Sequence, residues 1–145
     1  MIDDTTMKTM ISLTGQDYGR LRGILAERTG SMSRTSEPEL KMLENILDVA
    51  RIVDAADVPG NVVTMNSRVL YEDIASRQQG TVTIVYPTDA DPSRGAISVL
   101  SPVGGALLGE SEGDEVELPL PQGQTRQIRI LGVLYQPEAQ GHFTL

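Results

Sequence analysis

Residues 57–61 read DVPGN, and this stretch separates two parts of the chain that have different periodicities. A proline followed by a glycine interrupts regular secondary structure, because proline lacks a backbone donor and glycine favours turns. Before it, apolar residues recur at the spacing of a helix, and after it they alternate as in strands. The stretch therefore predicts a boundary between a helical unit, residues 1–58, and a sheet unit, residues 59–145.

Two helices are predicted on the N-terminal side of this boundary. The first begins at Thr14, whose hydroxyl can cap the first turn, and ends near Gly30. The second begins at Ser36, which can form a capping box with Glu39, and is expected to run to about Ala56. Because a short polar loop joins them, the helices are expected to pack antiparallel as a stubby hairpin.

Five strands and one short helix are predicted after the boundary. The strand-like stretches are VVTMNSRVLYED, GTVTIVYP, AISVL, DEVELPLP and TRQIRILGVLYQP. The last two flank Gln122 and Gly123, which are typical of a hairpin turn. Together with the helical hairpin, these elements predict an α+β fold, with a half-open antiparallel sheet and the short helix on one of its faces.

The short helix is predicted within residues 97–116, which read ISVLSPVGGALLGESEGDEV. Ser101 is the expected N-cap, Pro102 the first helical residue, and Gly109 the left-handed stop. A phosphate-binding loop would need a lysine after its last glycine, whereas an acidic residue follows Gly109 here. The stretch therefore favours a capped helix over a phosphate site.

Two glycines inside this helix, Gly104 and Gly105, need a compensating interaction. Each destabilises a helix interior by up to about 1 kcal/mol relative to alanine. A residue without a side chain allows another backbone to come close. We therefore expect either the sheet of the same chain or a partner protein to approach the helix at these positions.

Composition and charge restrict the chemistry that the chain can perform. A net charge of −8 disfavours nucleic-acid binding by counterion release over the whole surface. The absence of cysteine excludes disulfides, thiolate zinc sites and cysteine nucleophiles, and the single histidine, His142, does not predict a triad or a zinc site. The acidic N-terminus and the lack of a long apolar run predict a cytoplasmic protein with no membrane partner.

Two groups of acids are candidate carboxylate sites. One clusters after the short helix and comprises Glu110, Glu112, Asp114 and Glu115. A solvated turn is favoured over a metal site for this group. The other is Glu37 and Glu39, which lie with Arg34 at the tip of the predicted hairpin, where complementarity to the helix dipole is favoured over catalysis. No catalytic residue, metal or cofactor is therefore expected.

A family resemblance is carried by four stretches between residues 57 and 143: DVPGNVVTMNSRVLYED, TIVYPTDAD, ISVLSPVGGALLGESEGDEVEL and LYQPEAQGHF. They look like the regulator of nucleoside diphosphate kinase family, which belongs to the wider Gre-type transcript cleavage factor group. The resemblance implies an FKBP-like fold for the C-terminal domain. It covers the N-terminal hairpin only in architecture, and implies a short coiled coil there.

The resemblance also implies a partner, bacterial RNA polymerase, and a docking segment. Gre factors insert a long coiled coil into the secondary channel of the polymerase, where acids at its tip help to hold a catalytic magnesium. Their C-terminal domain docks on a coiled coil at the channel rim through a Ser-Pro pair and the acid before it. The matching positions here are Leu100, Ser101, Pro102 and Val103, with Leu100 in place of the acid.

The tip of the hairpin also departs from the Gre pattern, because its loop, GSMSRTSEPE, has no aspartate and the hairpin is short. The expected function is a non-enzymatic regulator that binds polymerase at the channel rim and competes with Gre factors without stimulating transcript cleavage. No direct sequence-specific contact with nucleic acid is expected. Two alternatives are a cleavage factor that uses Glu37 and Glu39, and an FKBP-like prolyl isomerase that uses the few aromatic residues of the C-terminal domain: Tyr71, Tyr86, Tyr135 and Phe143.

Overall fold

A computed structural model describes residues 11–29, 38–119 and 123–141. In chain order the elements are β1 (Ile11–Thr14), α1 (Gly15–Thr29), α2 (Pro38–Val49), β2 (Ala50–Val53), β3 (Arg68–Asp73), β4 (Gln79–Val85), β5 (Ala96–Ser98), α3 (Pro102–Leu107), β6 (Glu115–Pro119) and β7 (Thr125–Tyr135). The change from helices to strands along the chain confirms the predicted α+β class.

A five-stranded sheet, in the order β5-β4-β3-β7-β6, forms the C-terminal half. β3 pairs antiparallel with β4 and β7, and β7 pairs antiparallel with β6. Pro119 lies opposite Thr125, and Gly123 has a φ of 77°, as the predicted hairpin requires; Gln122 lies outside the described residues. The five predicted strands and the short helix among them are therefore confirmed.

One edge of this sheet differs from the prediction, because β5 pairs parallel with β4. A parallel neighbour needs a crossover rather than a tight hairpin. The crossover here contains two single 3-10 turns, Pro87–Asp89 and Pro92–Arg94, each with a proline in its first turn. The expectation of a half-open antiparallel sheet was therefore wrong at this edge, where the pairing is parallel.

The N-terminal half contains a second, two-stranded parallel sheet of β1 and β2, with Ile11 opposite Ala50 and Thr14 opposite Val53. The prediction that the second helix runs to Ala56 was wrong, because α2 ends at Val49 and the chain continues as β2. Pairing with the buried strand β1 outweighs the helical spacing of the apolar residues there. The predicted cap at Thr14 is confirmed, since its Oγ1 accepts a hydrogen bond from the Asp17 N–H at 3.1 Å.

The two helices of the hairpin are in contact, and α2 also contacts α3. One apolar core joins both halves of the chain. Its buried members are Ile11, Leu13, Leu21, Leu43, Ile46 and Leu47 before the predicted boundary, and Val63, Met65, Val69, Ile84, Tyr86, Val99, Leu107, Leu108, Val116, Leu118, Ile128 and Ile130 after it. No helix of the described residues is both long and apolar enough to span a membrane.

Candidate functional site

The predicted docking segment, residues 100–103, comprises the end of the turn after β5 and the first two residues of α3. Ser101 is extended, with φ −70° and ψ 154°, and its Oγ accepts a hydrogen bond from the Gly104 N–H at 3.1 Å. The same hydroxyl donates to the Ser98 carbonyl at 2.6 Å. Pro102 occupies the first helical position, where its missing N–H removes no hydrogen bond. The predicted cap and proline are confirmed.

The four residues of the docking segment differ in exposure. Pro102 is exposed, whereas Leu100, Ser101 and Val103 are half-buried. The side chains of Leu100 and Val103 pack against the core, and the Leu100 N–H donates to the Ser98 Oγ at 3.0 Å. The ring of Pro102 is therefore the part of the segment most accessible to a partner, and its neighbours hold it in place.

The glycines of α3 are explained by close neighbours within the same chain. A Cβ on Gly104 would overlap the carbonyl oxygen of Ser98, so the expected close approach of a backbone is made by the chain's own sheet. At Gly105 the neighbour is instead the side chain of Met42 from α2. Gly109 has a φ of 87°, which confirms the predicted left-handed stop.

A buried polar pair joins α1 to the residue that follows β4. The Tyr86 hydroxyl donates to Asp17 Oδ1 at 2.7 Å, and Asp17 is only 3% exposed. Burial raises the pKa of Asp17; the Tyr86 hydrogen bond opposes this effect, and the negative charge of Glu138 adds to it. Burial and the charge of Asp17 raise the pKa of Tyr86, so its hydroxyl remains a donor.

Two further contacts surround this pair. The guanidinium of Arg20 lies over the Tyr86 ring, 5.5 Å from its centroid, and Thr64 Oγ1 donates to Glu138 Oε1 at 2.7 Å. No pattern in the sequence predicts this cluster. In the sequence, Asp17 has the pattern of an ordinary acidic residue in the first turn of a helix. No local pattern relates it to Tyr86, which lies 69 residues further along the chain.

The acids that follow α3 interact mainly with the backbone and with one arginine. Glu112 Oε2 accepts from the Val133 N–H at 2.8 Å, and Asp114 Oδ2 accepts from the Ser111 N–H at 2.8 Å. Glu115 forms a 2.6 Å ion pair with Arg129 on the neighbouring strand. Among the described residues, no group of three or more acidic, histidine or cysteine side chains could hold a metal ion.

Several candidate residues fall outside the structural description. Arg34, Glu37, His142 and Phe143 lie outside the described residues. Only the backbone of Glu39, in the first turn of α2, is described. The structure therefore describes the whole docking segment, but it does not describe the side chains of the candidate acids at the hairpin tip.

Comparison with known proteins shows the class to which this fold and segment belong. The family described as "Transcription elongation factor, GreA/GreB, C-term" matches residues 58–135. The protein therefore belongs to the GreA/GreB family of transcription elongation factors, and the resemblance to the regulator of nucleoside diphosphate kinase family within this group is confirmed.

Two curated relatives and one solved structure are similar over most of the chain. Transcription elongation factor GreA of Desulfovibrio desulfuricans is 40% identical over 101 residues, which cover 70% of this chain and 62% of the relative. The regulator of nucleoside diphosphate kinase of Escherichia coli is 39% identical over 99 residues, covering 68% of this chain and 73% of the relative. The structure of a GreA/GreB elongation factor from Nitrosomonas europaea has a TM-score of 0.72 and 40% identity, covering 88% of this chain and 100% of that chain.

Proposed function

We propose that this protein binds bacterial RNA polymerase at the rim of the secondary channel and regulates elongation without stimulating transcript cleavage. It competes there with Gre factors and acts as a binding regulator, not as an enzyme. The observation that carries the proposal is the family match of residues 58–135, which includes the capped helix start with its exposed Pro102. The proposal also comprises a cytoplasmic location, an FKBP-like sheet domain, a coiled-coil hairpin and a domain division near residue 58.

The length of the hairpin supports the absence of cleavage. α1 has 15 residues and α2 has 12, which correspond to roughly 22 and 18 Å at about 1.5 Å per residue. In the Gre factors that the sequence resembles, a longer coiled coil brings the acids of its tip to the polymerase active site. We expect a hairpin with helices of this length to extend less far, and its tip sequence carries Glu37 and Glu39 without an aspartate.

Replacing Pro102 with alanine is expected to weaken binding to core RNA polymerase by on the order of tenfold, or about 1.4 kcal/mol. Pro102 is exposed and lies at the first helical position, so the substitution removes a contact surface without opening the core. An effect of this size is typical of an interface residue that contributes to binding. Interferometry with immobilised core polymerase measures the change.

Pro92 provides a matched control for this substitution. It is an exposed proline at the start of a 3-10 turn in the same half of the chain, so Pro92→Ala makes the same chemical change outside residues 100–103. Pro92→Ala is expected to bind like the wild type. Equal affinities of Pro102→Ala and wild type would contradict docking through residues 100–103, and no binding of the wild type would contradict the proposed function.

The 40% identity to an elongation factor of the GreA type supports one alternative, cleavage that uses the acids of the hairpin tip. We expect the wild-type protein to leave RNA cleavage in a backtracked elongation complex at its background rate, because the hairpin is short. A Gre factor serves as the positive control. Cleavage above background that is lost in the Glu37→Gln, Glu39→Gln variant would establish the alternative. A peptide isomerisation assay on the same preparation tests the prolyl isomerase hypothesis.

A further inference from the structure

The two adjacent glycines of α3 are in contact with different halves of the chain. Gly104 lies against the Ser98 carbonyl at the end of β5, a fixed backbone atom of the sheet. Gly105 lies against the Sδ and Cγ of Met42, which belongs to α2 and packs against the core. Both glycines are buried. α3 therefore packs closely against the sheet at Gly104 and against the hairpin at Gly105.

Two other elements of the N-terminal half make contacts in the same region. Ile11 of β1 lies so close to Gly109 that a Cβ there would meet its Cγ2 at 2.8 Å. Asp17 of α1 accepts the hydrogen bond from Tyr86 at the end of β4. β1 and α1 therefore also contact the C-terminal half of the chain, as α2 does through Met42.

From these contacts we infer that Met42 is a positioning residue, which sets the direction in which α1 and α2 project from the docking segment. Gly105 lies three residues after Pro102, one helical turn away, so a shift of Met42 relative to α3 changes the angle between the hairpin and that segment. The inference rests on the proposed function, because the direction of the hairpin matters once residues 100–103 are docked on polymerase. It adds that the hairpin is presented to the polymerase in one fixed orientation.

Distances between two spin labels test this inference on the full chain. The chain has no cysteine, so Glu27→Cys in α1 and Thr81→Cys in β4, both at exposed positions, give two unique labelling sites. The reference protein is expected to show one narrow distance distribution. Met42→Ala removes the contact and is expected to broaden the distribution. Gly105→Ala, whose methyl group would meet the Sδ of Met42, is expected to shift the mean distance.

A double variant and a neighbouring position provide the controls. Adding Met42→Ala to Gly105→Ala is expected to abolish the shift, because the new methyl group then has no side chain to displace. Lys41→Ala, at the adjacent exposed position of α2, is expected to leave the distribution unchanged. If Met42→Ala does not fold, Met42→Leu keeps most of the apolar volume but lacks the Sδ that lies against Gly105, and a broader distribution is again expected.

Unchanged distributions in folded Met42 and Gly105 variants would overturn the inference. So would a shift in Gly105→Ala that persists after Met42 is removed. These distances are measured without polymerase, so they are independent of the binding assay with Pro102→Ala. Failure of the proposed function would appear as lost polymerase binding by the wild type, and failure of the positioning role would appear as unchanged distances in a protein that still binds.

Discussion

Gly104→Ala is expected to lower the free energy of unfolding by about 1–3 kcal/mol, although alanine is the better helix former. The added methyl group would overlap the carbonyl oxygen of Ser98. That carbonyl already accepts hydrogen bonds from the N–H and the hydroxyl of Ser101, so it cannot move without disturbing the cap of α3. Urea unfolding followed by circular dichroism measures the change.

Gly23→Ala is the matched control for this prediction. Gly23 lies in the interior of α1, is exposed, and a Cβ on it would have no neighbour within 4 Å. The same chemical change is therefore expected to raise the free energy of unfolding by up to about 1 kcal/mol there. Opposite signs at the two positions would show that packing decides the outcome at Gly104. If Gly104→Ala were as stable as the wild type, the prediction would be wrong, and the Ser98 carbonyl would be able to move aside without lowering the free energy of unfolding.

Tyr86→Phe is expected to destabilise the protein by about 1–3 kcal/mol at neutral pH, because it leaves the buried carboxylate of Asp17 without its tyrosine donor. Phenylalanine keeps the ring, so the apolar packing of this position changes little. The hydrogen bond that is lost favours the charged form of Asp17, and its removal raises the pKa of Asp17 further. The defect is therefore expected to be larger at neutral pH than at mildly acidic pH.

The direction of this pH dependence follows from the raised pKa of Asp17. The ordinary value is 3.8, and the folded protein takes up the Asp17 proton at a higher pH than the unfolded chain does. The contribution of this group to stability therefore increases as the pH falls through the folded pKa toward 3.8, and is lost as the pH rises. Glu138, which faces Asp17 and accepts from Thr64, adds its charge to this effect.

Asp17→Asn isolates this group from the other carboxylates of the chain. Asparagine keeps an acceptor for the Tyr86 hydroxyl but does not ionise. Relative to Asp17→Asn, the wild type is expected to gain stability as the pH is lowered from neutral toward mildly acidic values, as measured by urea unfolding at each pH. In the Asp17→Asn background, the effect of Tyr86→Phe is expected to be independent of pH. If Tyr86→Phe still had a pH-dependent effect on stability in the Asp17→Asn background, a group other than Asp17 would be responsible for the titration.

Features that depend on neighbouring residues could be predicted from the sequence. The cap at Ser101, the proline after it and the stop at Gly109 are all defined within nine residues of one another. The β6–β7 hairpin is similarly local, because the strands adjoin their turn. In each case the residues that define the element are close to one another in the sequence, so no distant part of the chain is needed to specify it.

Features that depend on distant residues could not be predicted in this way. The residues of β2 continue the helical spacing of α2, and only pairing with β1 makes them a strand. The Asp17–Tyr86 hydrogen bond and the contact of Met42 with Gly105 likewise join elements far apart in the sequence. The close approach at the two glycines was predictable from the weakness of glycine in a helix, but the identity of the neighbours was not.

Because β1 pairs with β2 at the base of the hairpin, the length of the hairpin can vary independently of the rest of the molecule. One strand enters the hairpin and the other leaves it, and both are aligned with each other at its base. Insertion or deletion of whole helical turns in α1 and α2 would change the reach of the tip by about 5.4 Å per turn while that base stayed in register. Through such steps, evolution or protein engineering could lengthen or shorten the projecting arm of a family member and leave its attachment point unaltered.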